Sequence, residues 1–300
     1  MTPARQDIVT CVGLAVQDLV FTMAAPVLEG EKNFAAALSA VGGGPAANAA
    51  VCISRLGGRA RLVTALGMDA IGDAIQAELI SYGVDCSLVR RVDAPSPLSA
   101  VLIGSDGDRT IVNRTDPALW AGTPVPTASD LQGSGAVLTD VRWLQGALAA
   151  VAAARELGIP SVVDWDLTDQ DVPDELLDNA THVVFSEPAF EQRFRSISEA
   201  TVADVAQRHD AVVGVTQGSA GVVWASSGQS HRTEAFGVDA VDTLGAGDVY
   251  HGAFALGVAR GLDIRDIVVR SAAAAAVKCA RGGGREGFPS EVDVAALLEE

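Results

Sequence analysis

Positive charge is scarce: 21 Lys and Arg stand against 38 Asp and Glu in 300 residues, a formal net charge of −17. Nucleic-acid binding needs a basic surface that releases counterions, so a phosphate-backbone partner is not expected. An anionic small molecule would need a local island of cations. Cysteine is scarce too, and Cys11, Cys52, Cys86 and Cys279 show no paired metal-ligand spacing. A chain of this length builds its own core without a disulfide framework, so reduced thiols are expected. Long apolar runs are missing. The charged opening Met1 to Asp7 is followed by apolar residues broken at Gly13, Gln17 and Asp18, and the alanine run from Ala272 to Ala276 ends at Lys278 and Arg281. Neither reaches the length of a signal peptide or a membrane span, which leads to the expectation of a soluble, cytoplasmic chain without a membrane partner. No internal repeat and no linker-like segment occurs.

What is present is an alternation of strand and helix patterns. Ile8 to Val16 reads as a buried strand with Asp18 just past its end, followed by an irregular stretch to Val41. A glycine triplet then opens a helix from Pro45 to Leu56, with Pro45 in its first turn and Gly57-Gly58 as its stop. Arg61 to Leu66 reads as a strand and Ile71 to Ser81 as a helix ended by Gly83. Leu98 to Ile103 and Thr110 to Asn113 flank Ser105-Asp106-Gly107-Asp108, a hairpin signal. Beyond Pro117, short apolar strands at Ala136–Leu138, Ser161–Val163, His182–Phe185 and Ala211–Val215 are separated by helix-length segments. That is the pattern of a mainly parallel sheet covered by helices, an α/β fold. A further hairpin spans Gly221–Trp224 and His231–Phe236, and Ala246–Arg260 and Ile264–Cys279 read as helices. One domain over 1–300 is expected, with a small projecting β lid from about 16–41 and 96–115.

The most informative segment is Asp242-Thr243-Leu244-Gly245-Ala246-Gly247-Asp248. Small residues open a helix here, and the unsatisfied N–H groups of a first turn, with the helix dipole, form an anion site. Gly245, Ala246 and Gly247 allow close approach. Asp248 places a carboxylate beside the bound anion, which suits a base that takes the proton of an attacking hydroxyl in phosphoryl transfer. A plain helix cap is the alternative reading.

This segment resembles the C-terminal signature of the ribokinase family of carbohydrate kinases. Val41-Gly42-Gly43-Gly44-Pro45-Ala46-Ala47-Asn48 resembles the family's N-terminal glycine motif, and Gly67-Met68-Asp69 with Gly72, and Thr216-Gln217-Gly218-Ser219-Ala220-Gly221, fall at further family positions. The resemblance covers essentially the whole chain. It implies a doubly wound, mainly parallel sheet under a small β-sheet lid, with sugar beneath the lid and ATP along the C-terminal half. Asp248 would be the catalytic base; Asp18, Gly43, Gly44 and Asn48 would contact sugar. Thr216, Gly218, Gly221 and the helix around Ala274 would border the nucleotide. Where the family has Asn-x-x-Glu organising Mg²⁺, this chain has Ser186-Glu187-Pro188-Ala189, so Glu187 and Asp166 are the substitute metal candidates. A lid-mediated homodimer is a further expectation from the family.

Within the family, Thr139-Asp140-Val141-Arg142-Trp143, Phe185-Ser186-Glu187-Pro188 and Lys278-Cys279-Ala280-Arg281 look like bacterial kinases of 6-deoxy-6-sulfofructose, which phosphorylate the 1-hydroxyl. Arg142, Lys32 and Asn113 are then candidates for the sulfonate, because a guanidinium can bind two of its oxygens at once. A fructokinase, ketohexokinase or other sugar kinase is the alternative, followed by a sugar sensor without turnover. A nicotinamide enzyme lacks the required glycine spacing and the later acidic residue.

Overall fold

The computed structural model describes residues 7–28, 30–105 and 109–299. The hairpin tip Asp106-Gly107-Asp108 and the opening Met1 to Gln6 lie outside the described residues. The first half runs β1 (Ile8–Val12), β2 (Val16–Met23), β3 (Ala35–Gly43), α1 (Pro45–Arg55), β4 (Arg59–Val63), β5 (Ala65–Gly67), α2 (Ala70–Ser81), β6 (Arg90–Val92), β7 (Leu98–Ile103), β8 (Arg109–Arg114) and α3 (Ala128–Leu131). The second half runs β9 (Ala136–Asp140), α4 (Leu144–Leu157), β10 (Ser161–Trp165), α5 (Asp174–Asn179), β11 (His182–Ser186), α6 (Glu187–Phe194), α7 (Glu199–His209), β12 (Val212–Thr216), β13 (Val222–Ser226), β14 (Gln229–Thr233), α8 (Ala246–Arg260), α9 (Ile264–Cys279) and α10 (Glu291–Glu299).

The main sheet has the order β14-β13-β12-β11-β10-β9-β1-β4, parallel except for the antiparallel pairs β12–β13 and β13–β14. Its central strands are buried along their length because both faces are covered, with Asp140 and Asp164 near their carboxyl ends. Leu138, Val162 and Val184 point into a core shared with α1, α8 and α9, while Val163, Val183 and Phe185 point into the opposite core under α4 to α7. Strand β1 lies between β4 and β9, so chain progression reverses there. In an open α/β sheet that switch point, at the carboxyl ends of the strands, is where a ligand crevice forms.

A separate four-stranded sheet, β3-β2-β7-β8, leaves the core through Gly13–Ala15 and rejoins it at Gly44. It corrects two expectations. The stretch to Val41 is not irregular but contributes β2 and β3, and Asp18 lies inside β2 rather than past a strand end. The physical reason is pairing at a distance: β2 is flanked by β3 and by β7, some eighty residues on, and neither partner leaves a trace in local periodicity. The single strand expected over Arg61–Leu66 is two, split at Thr64 where the chain leaves the main sheet to pair β5 with β6. Among the described residues no helix is long and apolar enough to cross a membrane.

Candidate active site

A cavity of about 960 Å³ lies between the four-stranded sheet and the switch point. Its floor is the start of α8. Gly245 caps that helix with φ +77, a left-handed conformation that a side chain would strain. A β-carbon on Gly247 would meet open space, so the first turn of α8 is unobstructed. The loop entering it is held by Lys278, which is 0% exposed and donates to the Asp242 carboxylate at 2.9 Å and to the carbonyls of Asp242 and Arg281 at 3.2 Å each.

Asp248 lines the cavity and accepts a 2.6 Å hydrogen bond from Asn48 Nδ2. Its carboxyl is pushed up to about 7, chiefly by burial, with Asp164 adding to the shift and Asn48 and His251 opposing it. His251, one turn on, lies 3.3 Å from Asp164 and 2.7 Å from the Gly247 carbonyl. A carboxylate with a value near neutrality beside an open helix start can accept a proton and lose it again, which a helix cap has no need to do.

Asp18, Gly44, Asn48, Asn113 and Arg142 line the same cavity as Asp248. Gly43 lies directly beneath Asp18: a β-carbon there would overlap its carboxylate. Burial raises the Asp18 carboxyl, opposed by a hydrogen bond from Ser99 and by Arg285. Arg142 is positioned by Asp140, which is buried and accepts the backbone N–H groups of Leu14, Ala46 and Arg142 at 2.8, 3.1 and 2.9 Å, pinning three segments around the switch point. The Arg142 guanidinium is engaged with Asp166 at 2.9 Å and with the Leu167 carbonyl. Trp120, stacked on Trp143 at 4.9 Å, forms a flat wall.

Other candidates fall elsewhere. Lys32 is exposed in the loop between β2 and β3 and is not among the cavity residues. Ala274 is buried in the core, so the accessible small residues of α9 are Ala272 and Ala275. Thr216 and Gly218 lie at the carboxyl end of β12, with Gly218 open to space, while a β-carbon on Gly221 would overlap the Thr233 carbonyl, which makes that glycine a packing requirement. Glu187 accepts from Gln217 Nε2 at 2.9 Å beside this loop, whereas Asp166 is taken up by Arg142 and by Ser186 at 2.7 Å. Among the described residues no group of three His, Cys, Asp or Glu could hold a metal ion. Sequence reasoning missed Arg285, Ser99, Trp120 and His251, the partner of the strand-end carboxylate Asp164; no local pattern marks residues that meet only through the fold.

The model of pfkB family carbohydrate kinases matches residues 6–291. A ribokinase of Bacillus subtilis (strain 168) is 26% identical over 290 residues, covering 96% of this chain and 98% of that protein. A crystal structure of a candidate ribokinase from Agrobacterium tumefaciens superposes with a TM-score of 0.92 at 36% identity, covering 98% of each chain. The Arabidopsis thaliana ribokinase complexed with ribose and ATP superposes with a TM-score of 0.87 at 25% identity, again over 98% of each chain. With that coverage, and with the glycine turn and its aspartate at the floor of the cavity, the chain belongs to the pfkB family of ATP-dependent carbohydrate kinases.

Proposed function

We propose that this kinase transfers the γ-phosphoryl group of ATP to the 1-hydroxyl of 6-deoxy-6-sulfofructose, with Asp248 as base. The observation that carries the reading is that Asp248, Asp18 and Arg142 share one cavity, so a proton acceptor, an acceptor for vicinal hydroxyls and a cation face the same molecule. The hydroxyl proton passes to Asp248 as its oxygen attacks phosphorus and ADP leaves; the N–H groups of Gly245 to Gly247 face the charge that develops on the phosphoryl oxygens. On this reading Asn113, on β8 opposite Ser99 and lining the same cavity, assists Arg142 at the sulfonate. Thr216 and Gly218 border the nucleotide on this reading.

Mg²⁺ offsets the charge of the β- and γ-phosphates when bound. Glu187, oriented by Gln217 Nε2 beside the loop of Thr216 and Gly218, would supply one carboxylate to hold the ion. We further propose that the four-stranded sheet acts as a lid, that its outer face joins two copies in a homodimer, and that the enzyme works in the cytoplasm.

An uncharged ketose or pentose is the second reading, and one observation favours it: Asp166 already offsets part of the charge of Arg142. A coupled ADP-release screen with ATP against fructose, ribose, the ketohexose 6-phosphates and 6-deoxy-6-sulfofructose separates the two. Highest kcat/KM on the sulfosugar supports the first reading. Preference for a neutral sugar overturns it, and no turnover on any sugar would favour a sensor.

A further inference from the structure

The first glycine of the triplet, Gly42, lines the cavity and packs against Arg285. A β-carbon on Gly42 would overlap the guanidinium of Arg285 and the carboxylate of Glu78. Arg285 comes from the turn Gly284–Gly287 after α9, is 2% exposed, and lies between three segments of the site. Its Nε donates to Asn48 Oδ1 at 2.8 Å, its Nη2 to the carbonyl of Gly43 at 3.0 Å, and its Nη1 to Glu78 Oε2 at 3.0 Å.

We propose that Arg285 is a positioning residue for Asp248, acting through Asn48 and tied at the same time to the C-terminal end of β3. The inference rests on the reading of Asp248 as base. The chemistry of the donors decides the geometry. A guanidinium has no acceptor, so the atom of Asn48 that faces it must be the oxygen. The amide nitrogen is thereby turned to the other side, where it donates to Asp248 Oδ2. An ionised carboxylate only accepts, so a flipped amide would oppose like atoms at both ends. Arg285 therefore commits one oxygen of Asp248 to the protein and leaves proton acceptance to the other. Because the same fork holds Gly43, next to Gly44 where the sheet rejoins the core, the orientation of the base depends on the seating of β3. A fixed planar fork spanning three segments is a task for Arg that Lys cannot perform.

The charged and titratable groups around Asp248 are Asp164 and Asp166 from β10 and the residue after it, His251 from α8, Cys52 from α1 and Arg285 itself. Around Arg285 they are Glu78 from α2, Tyr82 just past its end, Cys86, Asp18 from β2 and Asp248 from α8. Of these, Arg285 and His251 favour the ionised form of Asp248, and losing Arg285 removes both its charge and the oriented Asn48 bond.

The test is the carboxyl ¹³C titration of Asp248, assigned by its loss in Asp248→Asn, in the full chain and in Arg285→Gln, with thermal melts to confirm folding. The midpoint should rise by about one unit in Arg285→Gln, and kcat should fall ~10–100-fold, the usual scale for a residue that orients a reacting group, with KM for ATP unchanged. Turnover is read with ATP against 6-deoxy-6-sulfofructose, fructose and ribose. Arg285→Lys should not restore kcat, and Gly42→Ala, which preserves every charge, should lower kcat by crowding the fork. Should Arg285→Gln not fold, Arg285→Lys carries the titration. A folded Arg285 variant with wild-type midpoint and kcat overturns the proposal while leaving Asp248 as base. Full activity of Asp248→Asn would remove that base reading, and the inference with it.

Discussion

The floor of the cavity and the four-stranded sheet above it are built on opposite principles. The floor is a network of buried polar groups, each with a partner: Asp248 on Asn48, Asn48 on Arg285, Asp140 on three backbone amides, Lys278 on Asp242. The sheet is thin, and its outer strand β3 exposes residues 35–40, with Leu38 60% exposed and neighbouring Phe34 79% exposed. A floor of satisfied buried groups holds reacting atoms still, because moving one of them leaves another unpaired in low dielectric. A single layer with one open face has few buried contacts to lose and is the part able to move. Substitutions in the floor should therefore act on kcat or on stability, and substitutions in the sheet on binding and association.

The largest break in that comparison is Asp248→Asn. Loss of the proton acceptor should lower kcat ~10²–10⁴-fold with KM for ATP nearly unchanged, read in a steady-state ADP-release assay. The same variant should be more thermostable at pH 8. The folded carboxyl is raised from 3.8 to about 7, so the stability it contributes is complete below its unfolded value and is lost as pH rises through 7. Replacing it with a neutral amide removes that loss, and the gain in Tm should shrink by pH 5. A helix cap would give the reverse, a lower Tm with kcat preserved.

Lys278→Met tests the floor's rigidity. Breaking a buried pair commonly costs ~3–5 kcal/mol, and because Asp242 retains some access to water the loss should fall toward the lower end. Urea denaturation reads the loss, and kcat should drop because the loop entering the glycine turn is released. Unchanged stability and kcat would show that the ammonium is not what seats the turn.

Arg142→Ala addresses the wall where floor and sheet meet. If the guanidinium reads a sulfonate, kcat/KM for 6-deoxy-6-sulfofructose should fall by ~2–5 kcal/mol of binding, roughly 30-fold to several thousand-fold, while fructose is affected much less. Equal losses on both would make Arg142 a brace for Asp166 instead. A smaller effect concerns the base alone: if Asp248 is the proton acceptor, kcat/KM should decline about tenfold per pH unit below about 7 and be flat above it.

The same division governs what the sequence reveals. The glycine turn and α8 are contiguous in the chain, and Asp248 is read where it stands because a helix start is a local event. The core strands β9 to β12 are legible for a similar reason: each is a short apolar run between helix-length segments. Strands β2 and β3 are not: β2 pairs with β7 some eighty residues on, and β3 is an edge strand whose exposed residues 35–40 carry no alternation to read. Arg285 is hidden for the deeper reason that its meaning comes from Gly42, Gly43, Asn48 and Glu78, four residues from three elements. The Ala272–Ala276 run does not tell which of its residues is buried, because five identical side chains carry no amphipathic mark; Ala274 lies in the core and Ala272 and Ala275 are partly buried.

The smallest effect sharpens the comparison from the side of the sheet. Strand β3 is an edge of the four-stranded sheet, so it presents unpaired backbone groups together with exposed apolar side chains. Such an edge is an association surface unless it is blunted, and between residues 35 and 40 it carries no charge or proline. A second copy seated there is the expectation. Leu38→Glu should then convert a dimer to a monomer in sedimentation equilibrium while changing fold stability by no more than about 0.5 kcal/mol, the usual scale for an exposed site. KM for the sugar should rise a few-fold because an unsupported sheet closes less completely, and kcat at saturating sugar should stay near wild type because the floor is untouched. A wild-type chain that is monomeric at micromolar concentration would remove the partner from the argument. A fall in kcat without any change in KM would be more damaging, since it would mean that the outer strand and the catalytic floor are not separable parts of the enzyme.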